Sequence, residues 1–187
     1  MAPLNQKQSI EMELARRCLQ DIGRGGAHLE AGDRPDVVTV IDGKRTGIEV
    51  TQFHADERSG VKGSALRAKE EKCLKISGPR ATSTWIPADP HPALIARITE
   101  KITTASKYDN TCYDQLWLLI SSQIPMMSAT ASTHTFAFLI DITKLDAATH
   151  MQLFGSAFSA VHVHLMRDHK VFSWSRAERW RGRCELR

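Results

Sequence analysis

The sequence predicts a mixed α/β domain in which helices pack on a central sheet. Amphipathic helical segments alternate with short extended segments along the chain, in the order helix, three strands, helix and then further strands and helices. The apolar run at residues 116–121 is typical of a strand that helices cover on both faces. The chain has 187 residues, of which 42% are hydrophobic and 25% are charged. We therefore expect one domain over residues 1–187.

The first half of the chain predicts two helices and three strands. Apolar residues recur at helical spacing over residues 8–22, and glycines end this helix. Extended segments follow at residues 27–30, 35–41 and 45–53. The dipeptide Asp42-Gly43 between the last two tolerates positive φ angles, which predicts a tight hairpin. A second helix, capped by Ser64, is expected over residues 64–76.

The second half predicts two more helices among further strands. Leu94, Ile98 and Ile102 are spaced as on the apolar face of one helix, and a short helix is expected over residues 146–154. Strands are expected at residues 116–121, 136–140, 160–166 and 170–174. Residues 176–187 hold five arginines and two glutamates, so this basic C-terminal segment carries three of the chain's four net positive charges.

Three carboxylates stand out because of their surroundings. Glu11 falls in the middle of the apolar face of the first helix, where a charge needs a partner or a metal. Asp36 opens one strand, and Glu49 lies 13 residues later between apolar neighbours in a strand that the layout makes central. The hairpin brings these two together. The alternatives, a turn residue after proline for Asp36 and a surface glutamate on an edge strand for Glu49, fit these positions poorly.

The segments at residues 34–38 and 47–52 resemble the PD-(D/E)XK nuclease superfamily. In that family an aspartate opens one strand, a Glu-x-Lys lies on its hairpin partner, and a glutamate often comes from the helix ahead of them. Asp36, Glu49 and Glu11 match these three positions. The resemblance implies a restriction-endonuclease-like fold, with a central mixed sheet flanked by helices.

The resemblance covers residues 8–76 and implies a metal-dependent nuclease that hydrolyses phosphodiester bonds in DNA or RNA. Asp36 and Glu49 would hold Mg²⁺ or Mn²⁺, with Glu11 supporting the site. Such an ion keeps several waters, activates one of them as nucleophile and stabilises charge on the scissile phosphate. Many nucleases of this fold act as dimers, so the resemblance also allows a homodimer.

The chain departs from the family pattern at Thr51, which stands where the motif lysine is expected. Lysine neutralises developing negative charge in a way that a threonine hydroxyl cannot. Some members of the fold carry this lysine on the following helix, where we prefer Lys69 to Lys72, and Gln52 would contribute as a neutral donor. The alternative is a catalytically inactive module of the same fold that binds nucleic acid or a protein partner.

Arginines supply the candidate contacts to the phosphate backbone, because cations contribute most of the non-specific affinity for nucleic acid. The candidates are Arg67, Arg176, Arg179, Arg181 and Arg183. The alternatives are a solvated basic tail and, for the first of these residues, a surface ion pair with Glu71.

A rival site is formed by His162 and His164, which share one face of a predicted strand. Together with His54 or His169 they could bind a transition metal through imidazole nitrogen. The alternative is that they belong to the polar face of the strand.

Membrane insertion is not expected from the sequence. No apolar run reaches the roughly 18 residues needed to span a bilayer, and the N-terminus lacks the uninterrupted apolar stretch of a signal peptide. The four cysteines are widely spaced, so we expect them to be reduced and mostly structural. We therefore expect a cytoplasmic protein without a membrane partner.

Overall fold

The computed structural model describes residues 5–53, 91–106, 108, 112–122, 130–131, 134–135, 140–166 and 169–184. The helices in these ranges are α1 (Gln6–Asp21), α2 (His91–Ala105) and α3 (Ile142–Phe154). The strands are β1 (Leu29–Ala31), β2 (Val37–Ile41), β3 (Lys44–Phe53), β4 (Gln115–Ser122), β5 (Thr130–Ala131), β6 (His134–Thr135), β7 (Ala160–Leu165), β8 (Lys170–Ser175) and β9 (Arg181–Cys184). The helix predicted over residues 64–76 and most of the strand predicted at residues 136–140 lie outside the described residues.

Seven of these strands form one mixed sheet in the order β1-β2-β3-β4-β7-β8-β9. The central strands β3, β4 and β7 run parallel, and the strands on either side of them are antiparallel. Strands β5 and β6 pair with each other apart from this sheet. The mixed α/β class that the sequence predicts is therefore confirmed.

The sheet separates two apolar cores because side chains alternate between its faces. On β4, Leu116, Leu118 and Ile120 belong to the core that includes residues of α2 and α3. Trp117 and Leu119 point the other way and belong to the core that includes residues of α1. Helices thus cover both faces of β4, which explains why its apolar run is continuous.

The β2–β3 hairpin turns at residues 42 and 43, whose φ angles of 51° and 75° lie in the left-handed region. This is the turn that the sequence predicts. Val37 pairs with Ile48 across the hairpin. Extending that register by one residue brings Asp36 beside Glu49.

The helix ends differ from the prediction where side chains cap them. Helix α1 begins two residues early because Asn5 and Gln8 form a reciprocal capping box, each side chain accepting from the other's backbone N–H. Helix α3 begins at Ile142, ahead of its predicted start, because Asp141 accepts a hydrogen bond from the Thr143 N–H. None of the helices in the described ranges is long and apolar enough to cross a bilayer.

Part of the basic C-terminal segment forms strand β9, which the sequence analysis did not predict. Trp180 anchors this segment: it is buried, and its Nε1 donates a hydrogen bond of 3.1 Å to Thr149. Gly182 then packs against the ring of Phe172, while Arg181–Cys184 pairs with β8. The segment over these residues is an edge strand rather than a solvated tail.

Buried histidines of β7 connect the sheet to its neighbours. His164 Nε2 lies 2.8 Å from Asp21 Oδ2 at the end of α1, and His169 Nδ1 lies 3.1 Å from the other oxygen of the same carboxylate. His162 Nδ1 lies 2.8 Å from the Ser173 hydroxyl on β8. Asp21 thereby joins the end of α1 to β7 and to the turn that follows it.

When the pH falls, we expect the free energy of unfolding of His162→Asn to decrease less than that of the wild type. Burial lowers the pKa of His162 from 6.5 to about 4, and the charges of Arg24 and His164 add to this effect. The unfolded chain binds the proton first as the pH falls, so stability is complete above about pH 6.5 and is lost towards pH 4. Full protonation corresponds to a loss on the order of 3 kcal/mol. Asparagine does not titrate in this range.

Urea unfolding at about pH 7 and about pH 5 measures the difference in the free energy of unfolding. His28→Asn is the matched control, because the His28 ring is exposed. Equal losses of unfolding free energy in the wild type and in His162→Asn would show that this buried ring is not the source.

Candidate functional site

A cleft of about 480 Å³ opens beside β3, next to the start of β2. Strand β2 pairs with β3 as far as Ile48, whereas β4 continues beside β3 to Phe53. The edge of β3 beyond Ile48 faces the cleft, and both α1 and α2 contribute residues to it. The side chains that line the cleft include Lys7, Glu11, Asp36, Glu49, Thr51, Gln52 and Lys101.

Asp36 takes the place of a strand partner at this edge. Its buried carboxylate accepts a hydrogen bond of 2.9 Å from the Val50 backbone N–H through Oδ2. The preceding loop is fixed by a 2.8 Å hydrogen bond from the Gly32 N–H to the Asp36 carbonyl oxygen. The Pro35 ring lies so close to Gly47 that a Cβ at residue 47 would overlap it. These contacts position the carboxylate beside β3.

Glu49 is buried, and its carboxylate lies close to side chains that follow β3 in the sequence. Its Oε1 lies 2.8 Å from Lys101 Nζ on α2. Burial raises the pKa of Tyr108, and the nearby charge of Glu49 raises it further. The phenol is therefore uncharged near neutral pH, and Lys101 holds the Glu49 carboxylate from α2.

Glu11 reaches the same cleft from α1 and lies close to Lys7. Its Oε1 is 3.1 Å from Lys7 Nζ, which also lies 3.4 Å from Asp36 Oδ1. Burial raises the pKa of Glu11 and the charge of Asp36 adds to the rise, while Lys7 opposes it. The hydrogen bond with Glu11 raises the pKa of Lys7. Glu13, two residues away, instead pairs with arginines on the outer surface of α1.

The donor set of the cleft fits a hard divalent cation by its chemistry. Glu11, Asp36 and Glu49 supply only oxygen atoms, which Mg²⁺ and Mn²⁺ prefer. Within the described ranges, however, no three histidine, cysteine or carboxylate side chains already converge closely enough to hold one ion. Each of these carboxylates is paired with a lysine ammonium instead. That Asp36 and Glu49 share an ion therefore stays a prediction.

Lys7 and Lys101, which line the cleft among the described residues, are not among the site residues expected from the sequence. Lys101 follows the apolar residue Ile98 on α2 by three positions, but its partner Glu49 is 52 residues away in the chain, so no local pattern reveals the contact. Lys7 stands four residues before Glu11, a spacing at which helical ion pairs form, and this signal could have found it. Thr51 and Gln52 are half-buried beside these groups.

The candidates Lys69 and Arg67 lie outside the described residues. The C-terminal arginines that are described engage groups of their own surroundings: Arg176 donates to the Ser156 carbonyl, Arg179 pairs with Asp146, and Arg181 pairs with Glu178. The side chain of Arg183 is outside the described set. Strand β9 is separated from β3 by three strands in the sheet order, which corresponds to roughly 19 Å. The structure does not bring these arginines into the cleft.

The histidines of the rival site that the structure describes contact other protein side chains. His164 and His169 both lie against Asp21, and His162 packs on Trp117 with ring centroids 4.9 Å apart. No metal-binding group is found among these histidines or elsewhere in the described part of the chain. His54 lies outside that part.

Comparison with known proteins found no matching family model, curated protein or solved structure. The roles considered for Asp36, Glu49 and Lys101 therefore follow from their own contacts and chemistry. The resemblance of residues 34–38 and 47–52 to a nuclease motif remains a sequence-based expectation.

We expect Gly47→Ala to displace Pro35 and, with it, the Asp36 carboxylate. The added Cβ would overlap the Pro35 ring, and overpacking of this kind costs about 1–3 kcal/mol of unfolding free energy. Urea unfolding measures the loss of stability. Gly26→Ala is the matched control, because a Cβ there meets nothing within 4 Å. Wild-type stability in Gly47→Ala would contradict the role of this contact.

Proposed function

We propose that the chain is a metal-dependent nuclease of restriction-endonuclease-like fold that hydrolyses phosphodiester bonds in nucleic acid. The observation that carries the proposal is the meeting of Glu11, Asp36, Glu49 and Lys101 in one cleft. Three buried carboxylates in one place are costly to fold, and clusters of this kind concentrate at functional sites.

The arrangement of the elements supports the proposed fold. A helix, three strands, a helix and a strand follow one another, and a seven-stranded mixed sheet has helices on both faces. The hairpin aligns the residues of the sequence motif, and Glu11 comes from the helix ahead of them. Fold alone does not determine function, so the proposed activity rests on the cleft.

In the proposed mechanism, Asp36 and Glu49 would hold Mg²⁺ or Mn²⁺, and Glu11 would support the site. When bound, the ion supplies a water of lowered pKa and compensation for charge on the phosphate. Asp36 is oriented by the Val50 N–H, which leaves Oδ1 for the cleft. Thr51 and Gln52 present neutral hydrogen-bonding groups to the scissile phosphate or to the attacking water.

Lys101 is our candidate for the cation that the motif lacks at Thr51. Its side chain is only 18% exposed, and Glu49 holds its ammonium at 2.8 Å. A cation fixed before the reaction stabilises charge that develops in the transition state without reorganisation. Lys69, the candidate from the sequence, stays a prediction because it lies outside the described residues.

The second candidate function is a catalytically inactive module of the same fold that binds nucleic acid or a protein partner. Thr51 favours it, because the residue expected to assist the chemistry is replaced. Each of the three carboxylates also has a lysine ammonium beside it, so the cleft needs no metal for folding.

We expect Lys101→Met to lower nucleic-acid cleavage by roughly a hundredfold or more, the usual cost of losing one donor to the developing charge. Gel assays with Mg²⁺ or Mn²⁺ on single- and double-stranded DNA and RNA measure cleavage, and calorimetry checks that Mn²⁺ still binds. Lys101→Arg, which keeps the charge, should retain more activity than the methionine variant. Lys44→Met on the exposed hairpin is the control.

Lys69→Ala distinguishes the two candidate lysines in the same assays. If Lys69→Ala loses cleavage and Lys101→Met keeps it, the lysine from the helix over residues 64–76 is the one that assists the reaction. If the wild type binds Mn²⁺ but cuts neither DNA nor RNA, the inactive module becomes the better description.

A further inference from the structure

Lys7 occupies the part of the cleft where a cation is bound by two carboxylates at once. Its Nζ lies 3.1 Å from Glu11 Oε1 and 3.4 Å from Asp36 Oδ1. Both carboxylates are buried, whereas the Lys7 side chain is 75% exposed. The site therefore attracts positive charge. The positive charge that occupies it is the ammonium of Lys7, a long side chain on the first turn of α1.

The two lysines of the cleft differ in how firmly they are held. Lys101 is largely buried and pairs with Glu49 at 2.8 Å. The Lys7 side chain is largely exposed, so water hydrates its ammonium when it leaves, and an incoming cation keeps the two buried carboxylates paired. Lys7 can thus leave at low cost, while Lys101 stays in place.

We propose that a divalent cation displaces Lys7 from Glu11 and Asp36, and that the released ammonium then binds a phosphate of the nucleic acid. This inference rests on the proposed function. It adds that binding of the ion and binding of the nucleic acid are coupled through Lys7. Without the ion, Lys7 is bound to carboxylates and is not available to a phosphate. With the ion, the same side chain is free at an exposed position beside the cleft, so binding of the ion strengthens binding of the nucleic acid, and the reverse holds by linkage.

The first test measures metal affinity by calorimetric titration with Mn²⁺. Removing a competing ammonium should tighten binding, so we expect Lys7→Gln to lower the Kd by roughly two- to fivefold, the equivalent of an exposed ion pair. Lys7→Arg keeps the competing charge and should bind as the wild type does. Lys44→Gln is the control for loss of one positive charge, since Lys44 lies five residues before Glu49 on β3, about 16 Å along the strand.

The second test measures nucleic-acid affinity by fluorescence anisotropy with a short labelled oligonucleotide, checked on a gel for integrity. Titrations are run with Ca²⁺, which takes oxygen ligands, and with EDTA. With Ca²⁺, we expect Lys7→Gln to bind more weakly than the wild type and to lower the slope of log K against log salt by about 0.7–0.9, the value for one lost phosphate contact. In EDTA the two proteins should bind alike.

The outcomes separate this inference from the proposed function. If the wild type binds no Mn²⁺, both the metal site and the displacement are wrong. If the wild type binds Mn²⁺ and Lys7→Gln binds it equally or more weakly, the displacement alone is wrong. If Lys7→Gln binds Mn²⁺ more tightly but weakens nucleic-acid binding to the same extent with Ca²⁺ and in EDTA, Lys7 contacts phosphate independently of the ion, and the coupling is wrong.

Discussion

The hydrogen bond from the Val50 N–H to the Asp36 carboxylate is the contact on which the rest of the site depends. A strand edge leaves backbone donors without partners, and Asp36, just before β2 begins, satisfies one of them. Because this bond uses one carboxylate oxygen, the other remains for the cleft. Because β2 does not pair with β3 beyond Ile48, the edge of β3 after that residue is open. Glu11 from α1 and Lys101 from α2 both line the cleft beside this edge.

The charges around this edge are arranged in a way that stability alone does not require. Buried ion pairs often contribute no more to stability than apolar residues of similar volume, although breaking one is costly. Among the residues that the structure describes, three carboxylates face two lysines in this cleft, an excess of one acidic group. A phosphate would be repelled by such a cleft unless a cation entered first. This excess of carboxylates is one reason for our proposal of metal-dependent chemistry rather than simple anion binding.

The parts of this arrangement that could be predicted from the sequence are local. The Asp42-Gly43 turn determines which residues of β2 and β3 face each other, and helical periodicity places Glu11 on the buried side of α1. Lys101 could not be found in this way, because its contact depends on how α2 packs against the sheet. Strand β9 was missed for a similar reason: the burial of Trp180 against α3, a tertiary contact, positions a segment whose composition is typical of a tail.

We propose that the cleft beside β3 is a cation site built from Glu11, Asp36 and Glu49. Anomalous diffraction from crystals grown with Mn²⁺ tests it most directly, because the signal locates the ion without reference to activity. We expect one strong peak within coordination distance of Asp36 Oδ1, with Lys7 moved away from Glu11. A cleft without a peak, or a peak only at the Asp21 and His164 pair, would contradict it.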